Sequence, residues 1–354
     1  MILKAASFSQ EAAFFCLNLL SLRTKENTMN ELYPMKFAPI FKDKIWGGNR
    51  IKTELGLDYG NLPNCGEAWM ISGVEGNETV ITNGFLAGNT INELVEVYMG
   101  DLVGDPVYEE YGLEFPLLIK FLDANDWLSI QVHPDDELAE KLRLGRGKTE
   151  MWYILDAEPG AELINGFKRK ITREEYLDYF NKKKLPEILN YEKVEKGDAF
   201  YIPAGRIHSL GPGILLAEIQ QSSDATFRIY DWDRIDAAGL TRELHTDLAL
   251  KALDFEKYDD YKIRVEPQKN KTVNLVDSPY FTTNLLEFDK PLKKDFEELD
   301  SFVIYMAVEG DVILKWEGDD VSLKKGEVVL IPNAIENLEL YPRQTSRLLE
   351  IYII

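Results

Sequence analysis

The sequence predicts a mainly β chain of two double-stranded β-helix (jelly-roll) barrels in tandem, with a few helices inserted in and flanking the first. Three observations carry this. Strand-like runs bounded by Gly, Pro and Asp turns dominate the chain. Helical patterning appears in only a few stretches, the main three between residues 90 and 189. One turn–strand–proline segment occurs twice. A length of 354 residues, 45% of them apolar, is enough for two or three domains that each bury a core.

Residues 1–28 are expected to be an extension outside the fold, the product of an upstream mis-start or a dispensable leader. AAFFCLNLLSL (12–22) has the length of a secretory core region, yet no small-x-small cleavage site follows it, and Met29 heads a polar start into patterned sequence. A first domain is expected over 29–262 and a second over 270–354, joined by the charged YKIRVEPQKNKTVN (261–274). Strands are predicted at EAWMIS (67–72), ETVITNG (78–84), WLSIQVH (127–133), EMWYIL (150–155), DAFYIP (198–203), GILLAEIQ (213–220) and FRIYDW (227–232). Helices are predicted at 90–99 behind an Asn89/Thr90 cap, at 135–144, and at 171–189, where Thr172 stands ahead of Glu175. Five further strand runs, from YFTTNLLEF to SRLLEIYII, fill the second domain.

Charge narrows the function. Forty Lys and Arg against 61 Asp and Glu give a net charge of −21 with no basic cluster. Such a field repels phosphate backbones and anionic lipid, which argues against nucleic acid and membrane as partners. A small anionic substrate would need a local basic pocket. Two distant cysteines, Cys16 and Cys65, offer neither a disulfide framework nor a metal-ligand spacing, as expected of a cytoplasmic protein. No segment is long enough to span a bilayer.

The repeated segment places the chemistry. EKGDAFYIPAGRIHSL (195–210) aligns with KKGEVVLIPNAIENLEL (324–340), each with a glycine, Gly197 or Gly326, six residues before a proline. The spacing G-x5-P-x-G-x2-H in the first copy resembles the second signature motif of the cupin superfamily: a glycine turn, a strand, a corner, and a histidine, His208, just inside a barrel mouth. The second copy has Ala334 and Asn337 where the first has Gly205 and His208, so the second barrel is expected to be degenerate and without metal ligands.

A second histidine stands in SIQVHPDD (129–136), where period-two alternation puts Ser129, Gln131 and His133 on one strand face. In GKTEMWYIL, Lys148, Glu150 and Trp152 likewise share a face. A Gln-x-His pair on a strand is ordinarily polar surface, and a lone histidine is ordinarily structural. Together, in a chain with three histidines, they point to a converging metal site. Two imidazoles, a carboxylate and an amide oxygen would give a charge of about +1 with zinc, Lewis-acidic and open to substrate. Glu137 is the rival carboxylate, but Pro134 ends the strand and Asp135 or Asp136 caps the next helix, carrying Glu137 away.

QVHPDD, GKTEMWYIL, IPAGRIHSL and EIQQSSDATFRIYDWDR, with KIWGG (44–48) and GEAWMIS (66–72), resemble the class I mannose-6-phosphate isomerases of the short bacterial type, from about residue 33 to the C-terminus. Met70 departs from the glutamate usual in that family. The resemblance implies one zinc ion held by Gln131, His133, Glu150 and His208. It implies proton transfer between C1 and C2 of a sugar phosphate through a cis-enediol, linking mannose 6-phosphate and fructose 6-phosphate. Lys148, Asp224 and Arg228 become the expected catalytic residues; if the chain is extended there, Asp224, Thr226 and Arg228 share a face. A lysine beside a divalent cation is driven toward its proton-accepting form. Ser129 and Lys120 are the expected phosphate contacts, with Arg206 a weaker option, and His245 is read as structural. The partner is then a small sugar phosphate and the chain a monomer or weak homodimer.

Two other readings stay open on the residues. One is a cupin that binds sugar phosphate without turnover, as a regulator would; Lys148, Asp224 and Arg228 exceed what binding needs. The other is an iron or manganese cupin oxygenase, which calls for a third histidine where Gln131 stands.

Overall fold

Two sandwiches of antiparallel sheets, set back to back, make up the architecture. The computed structural model describes residues 31–235 and 239–354; the extension expected over 1–28 lies outside the described residues. In the first unit a seven-stranded sheet runs in the order Lys262–Ile263, Ala199–Ile202, Glu150–Ala157, Ile214–Gln221, Leu117–Ala124, Glu67–Ser72, Ile40–Lys42. A five-stranded sheet opposes it, ordered Phe227–Tyr230, Ile130–Val132, His208–Leu210, Glu162–Phe167, Leu189–Lys193. Trp152, Phe200 and Leu216 from the first sheet share one buried cluster with Leu163 and Leu210 from the second. The second unit repeats the plan with five and four strands around Phe288, Tyr305, Leu314 and Leu340.

Alternation decides what each strand shows to each side. In Glu150–Ala157, Trp152 and Ile154 point into the first sandwich, while Met151, Tyr153 and Leu155 join a cluster with Leu285, Ile304, Met306 and Leu349 of the second unit. Both faces are therefore buried, which is why EMWYIL reads apolar throughout. Ile130 and Val132 pack outward under helices Arg173–Asn181 and Thr246–Ala252, leaving Gln131 to face the interior. The polar face of SIQVHPDD is an inner wall.

Helix Ile91–Val103 begins at the expected cap, with Thr90 and Glu93 bonding reciprocally. Its last turn is gripped by the second unit: the Asn333, Ala334 and Phe302 N–H groups donate to the Leu102, Asp101 and Val103 carbonyls at 3.0, 2.9 and 3.2 Å. Gly104 follows at φ 92°, where an added Cβ would lie 2.2 Å from the Asp300 carbonyl oxygen, so only glycine fits. Helix Asp136–Leu142 is capped by Asp135.

The single helix predicted over 171–189 is broken. Helix Arg173–Asn181 keeps the Thr172–Glu175 capping box, but Lys183 turns to φ 56° and a short 3-10 turn, Leu185–Ile188, leads into strand Leu189–Lys193. Pro186 cannot donate to the helical ladder, and the lysines before it offer no apolar face. ETVITNG shrinks to Val80–Ile81, paired with Phe37–Ala38. The predicted connection over 261–274 is a strand at both ends, Lys262–Ile263 on the first unit and Lys271–Asp277 on the second. Among the described residues no helix is long and apolar enough to cross a membrane.

Phe302 sits fully buried with its ring 4.9 Å from that of Phe115, inside the cluster that both units share. Phe302→Ala is expected to cost about 3–5 kcal/mol. Because the cavity opens in a common core, chemical denaturation followed by circular dichroism should show one shifted transition; a separate early loss of the second unit alone would contradict the shared core.

Candidate metal centre and active site

Strand register assembles the centre. Gln131 lies opposite His208 on one side and opposite Arg228 on the other, and Glu150 lies opposite Gln220. His133 follows two residues after Gln131, its carbonyl held by the Gly205 N–H at 2.9 Å. His133, Glu150 and His208 are buried, with ligand atoms all within 4.8 Å of one another.

Hydrogen bonds fix the tautomers. His133 Nδ1 is 2.9 Å from the Ala225 carbonyl oxygen and His208 Nδ1 is 2.8 Å from that of Arg206. Carbonyls only accept, so each Nδ1 carries the proton and each Nε2 turns a lone pair toward Glu150, 3.5 Å away in both cases. Burial holds both imidazoles below their usual range, His208 at about 4, so they are neutral near pH 7. Burial and then Glu218 push the Glu150 carboxyl up to about 7. Neither Glu150 oxygen receives a hydrogen bond, and the nearest cation, Lys148 Nζ, stands 3.3 Å from Oε2. A buried carboxylate facing two lone pairs is unfavourable alone and satisfied by a cation among them. The Gln131 amide, 3.2 Å from His208 Nε2, offers its oxygen to the same point on a half-turn of the group. The donor set fits a divalent metal ion.

Beneath the centre lies a buried charge chain. Lys120 Nζ donates to Glu218 at 3.0 Å and to Gln220 at 2.7 Å. The Trp152 indole N–H donates to the other Glu218 oxygen at 2.9 Å. Glu67 accepts from the Trp69 indole at 2.6 Å and pairs with Lys44 at 3.0 Å. Burial works to raise the Glu67 carboxyl, but Lys120, Lys44 and Trp69 together bring it down to about 2. The approach to Glu150 is clamped from behind. Asp136 accepts from the Gly147 N–H at 2.7 Å and from Gln221 at 3.1 Å, and Gln221 accepts from the Thr149 N–H at 2.8 Å.

A cavity of about 270 Å³ opens on the centre. Lys44, Lys120, Lys148, Arg228 and Arg242 line it against Glu67, Glu218 and Asp224, a formal excess of two positive charges in a chain of −21. This is the local basic pocket an anionic substrate requires.

Residues 35–178 match the family model described as phosphomannose isomerase type I, catalytic domain, and residues 271–345 match the mannose-6-phosphate isomerase cupin domain. A mannose-6-phosphate isomerase of Bacillus subtilis (strain 168) is 34% identical over 318 residues, covering 87% of this chain and 95% of the relative. The Streptococcus mutans mannose-6-phosphate isomerase is 36% identical over 295 residues, covering 83% and 90%. A crystal structure of the mannose 6-phosphate isomerase from Bacillus subtilis superposes with a TM-score of 0.82 at 33% identity, covering 91% of this chain and all of that one. The chain belongs to the type I phosphomannose isomerase family.

The structure brings the residues expected of this family member together unevenly. Gln131, His208, Lys148, Ser129, Lys120, Asp224, Thr226 and Arg228 all line the cavity. Ser129 donates to Gln131 Oε1 at 3.3 Å, and Lys120 is paired with Glu218. Arg206 turns away from the cavity: its guanidinium stacks on Tyr258 and Tyr261 at 4.3 and 4.9 Å. Glu137 is exposed and paired with Lys141, far from a ligand's place. His245 holds Arg228 by its main chain, donating N–H to the Arg228 carbonyl at 2.7 Å and accepting the Arg228 N–H on Nδ1 at 3.2 Å. Met70 is buried in the cluster between the units. Glu218, Asp136 and Arg242 escaped sequence reasoning. A glutamate inside the apolar run GILLAEIQ was a signal for the first; Asp136 read only as a helix cap, and Arg242 reaches the cavity through tertiary contacts alone.

Metal binding must displace the Glu150 proton, whereas the two histidines are already neutral. Affinity should therefore be flat above about pH 7 and fall by roughly tenfold per pH unit below it as the carboxyl protonates. Calorimetric zinc titrations across that range check this, and an affinity unchanged down to about pH 5 would remove Glu150 as the titrating ligand.

Proposed function

We propose that this chain interconverts mannose 6-phosphate and fructose 6-phosphate, with zinc held by Gln131, His133, Glu150 and His208. The observation that carries this is the buried, unpartnered Glu150 carboxylate between two oriented imidazoles, with Lys148 beside it. A divalent ion in that donor set supplies Lewis acidity toward the oxygens on C1 and C2. Imidazole and carboxylate donors suit zinc, and an amide in place of a third histidine speaks against the oxygenase alternative.

The remaining steps belong to the protein. Lys148 Nζ lies 3.3 Å from both His133 Nε2 and Glu150 Oε2, so it meets a substrate whose C1 and C2 approach the centre. As base it takes the C2 proton of the open-chain aldose; the C–H electron pair becomes the C1–C2 double bond and the carbonyl oxygen gains the negative charge. Passage of the O2 hydroxyl proton to O1, with the C1–C2 pair taking the abstracted proton at C1 as C2=O forms, gives the ketose. Arg228, next to Gln131 in register, steadies the enediolate, and Asp224 at the exposed rim accepts the hydroxyl proton during ring opening. Trp46, Leu122, Leu128 and Trp152 give the cavity apolar walls that limit water around the enediolate.

The catalytic unit runs over 29–262 in this reading, and 270–354 forms a barrel without ligands, where exposed Asn337 replaces His208. A cytoplasmic setting agrees with Cys65, a buried free thiol.

A coupled assay for fructose 6-phosphate tests the function directly. Activity should vanish on chelation and return with zinc; a metal-replete protein without turnover would favour the non-catalytic binder instead. Lys148→Met should keep its zinc by mass spectrometry and lose about 100-fold or more in kcat. An unchanged kcat would reduce Lys148 to a scaffold for Glu150.

A further inference from the structure

We infer that Asp136 is a positioning residue for Lys148, and that the second, ligandless unit holds it in place through Tyr280; the inference rests on the reading of Lys148 as the base. Three consecutive N–H groups around Lys148 are tied to the segment that follows His133. The Gly147 N–H donates to Asp136 Oδ1 at 2.7 Å, and the Lys148 N–H donates to the Pro134 carbonyl at 2.9 Å. The Thr149 N–H donates at 2.8 Å to Gln221, whose amide donates in turn to the two Asp136 oxygens at 3.1 and 3.4 Å. One carboxylate thus holds the peptide groups on either side of Lys148, one directly and one by relay. Gly147 permits the contact, since an added Cβ would lie 2.6 Å from the Asp136 nitrogen.

The ordinary task of an acid at this place is helix capping, and Asp136 is not needed for it. Asp135 accepts the Leu138 N–H at 2.8 Å and is the cap of helix Asp136–Leu142. Asp136 instead turns its carboxylate back onto the strand. Anchoring the main chain matters for a lysine because its four-carbon stem is flexible. Lys148 is buried with Nζ 3.3 Å from both His133 Nε2 and Glu150 Oε2, so the place of its tip follows from where its backbone is fixed.

The second unit meets Asp136 from the other side. Tyr280 lies in the turn between strands Lys271–Asp277 and Thr282–Phe288. Ser278 shapes that turn, its hydroxyl accepting the Tyr280 and Phe281 N–H groups at 3.3 and 3.1 Å. Phe281 is fully buried in the cluster both units share, and Tyr280 packs against that cluster. Burial, and then the Asp136 carboxylate, push the Tyr280 hydroxyl above its usual range, so it stays a donor toward that carboxylate. The ligandless barrel thereby takes part in catalysis, at the far end of a chain that runs from Tyr280 through Asp136 and Gly147 to Lys148.

The test uses full-length, zinc-loaded wild type, Asp136→Ala, Asp136→Asn and Tyr280→Phe, with melting temperature and zinc content checked first. Asp136→Ala should lower kcat for mannose 6-phosphate by about tenfold or more while KM changes less than about threefold, since a misplacement of about 1 Å suffices for such a loss. Asp136→Asn keeps an oxygen for the Gly147 N–H and should recover part of the loss, and Tyr280→Phe should lose about threefold in kcat. In a Lys148→Met background Asp136→Ala should add less than about twofold, because an effect exerted through Lys148 has nothing left to act on. An unchanged kcat in folded, zinc-loaded Asp136→Ala, or an equal loss in both backgrounds, would overturn the positioning role. If that variant fails to fold, the same outcomes in Asp136→Asn decide it. A loss in the Asp136 variants with none in Tyr280→Phe would remove the second unit from the chain. Amide hydrogen exchange over residues 145–150, followed by mass spectrometry, reads the tie without turnover and should quicken in both Asp136→Ala and Tyr280→Phe. Wild type without turnover, with exchange quickened in both variants, would keep the anchor of Lys148 and remove the isomerase reading; unchanged exchange would overturn the anchor itself.

Discussion

The structure turns on one constraint: a carboxylate, Glu150, is held in the interior with no hydrogen bond to either oxygen and an imidazole lone pair opposite each. Such a group destabilises the fold by itself, and everything around it is arranged so that a divalent cation satisfies it. Two main-chain carbonyls, from Ala225 and Arg206, orient the imidazoles. Asp136 and Gln221 clamp the strand that delivers Glu150. These partners set direction more than strength: without them each ring could offer either nitrogen, and the donor set would not converge.

Electrostatics follow the same logic on a larger scale. A chain of −21 repels anions at long range, yet its cavity carries an excess of positive charge. The buried pairs below the centre contribute no net charge to a ligand, since Lys120 with Glu218 and Lys44 with Glu67 cancel at close range. They give the floor rigidity through the indole donors of Trp69 and Trp152. The positive excess of the cavity lining comes from Lys148, Arg228 and Arg242 against Asp224.

The second barrel shows what the repeated turn does when its ligand is absent. In the first unit the corner after Pro203 carries His208 inward to the metal centre. In the second, the corner after Pro332 uses the Asn333 and Ala334 N–H groups to grip helix Ile91–Val103. The facing sheets of the two units then close over a common core that includes Met151, Phe302 and Leu349. One local geometry serves chemistry in one copy and assembly in the other.

Residue pattern by itself determined the β-rich class, the duplicated barrel and the inner face of SIQVHPDD, because period-two alternation and fixed turn spacings are local properties of the chain. It brought Gln131, His133, Glu150 and His208 to attention for the same reason: each sits on a strand or corner whose direction follows from spacing. It overran the helix beyond Asn181, where Pro186 and the absence of an apolar face outweighed the early capping signal. Only tertiary structure decided how charges pair. Lys120 and Glu218 are 98 residues apart, so no pattern could reveal that the lysine is already neutralised. Arg206, the weaker phosphate option in the IPAGRIH corner, is drawn instead to the rings of Tyr258 and Tyr261. Arg242 reaches the cavity beside Arg228 because Asp231 holds its guanidinium and His245, three residues on, bonds the Arg228 main chain. Direction along a strand is written locally; the sum of charges at a point in space exists only once the chain is folded.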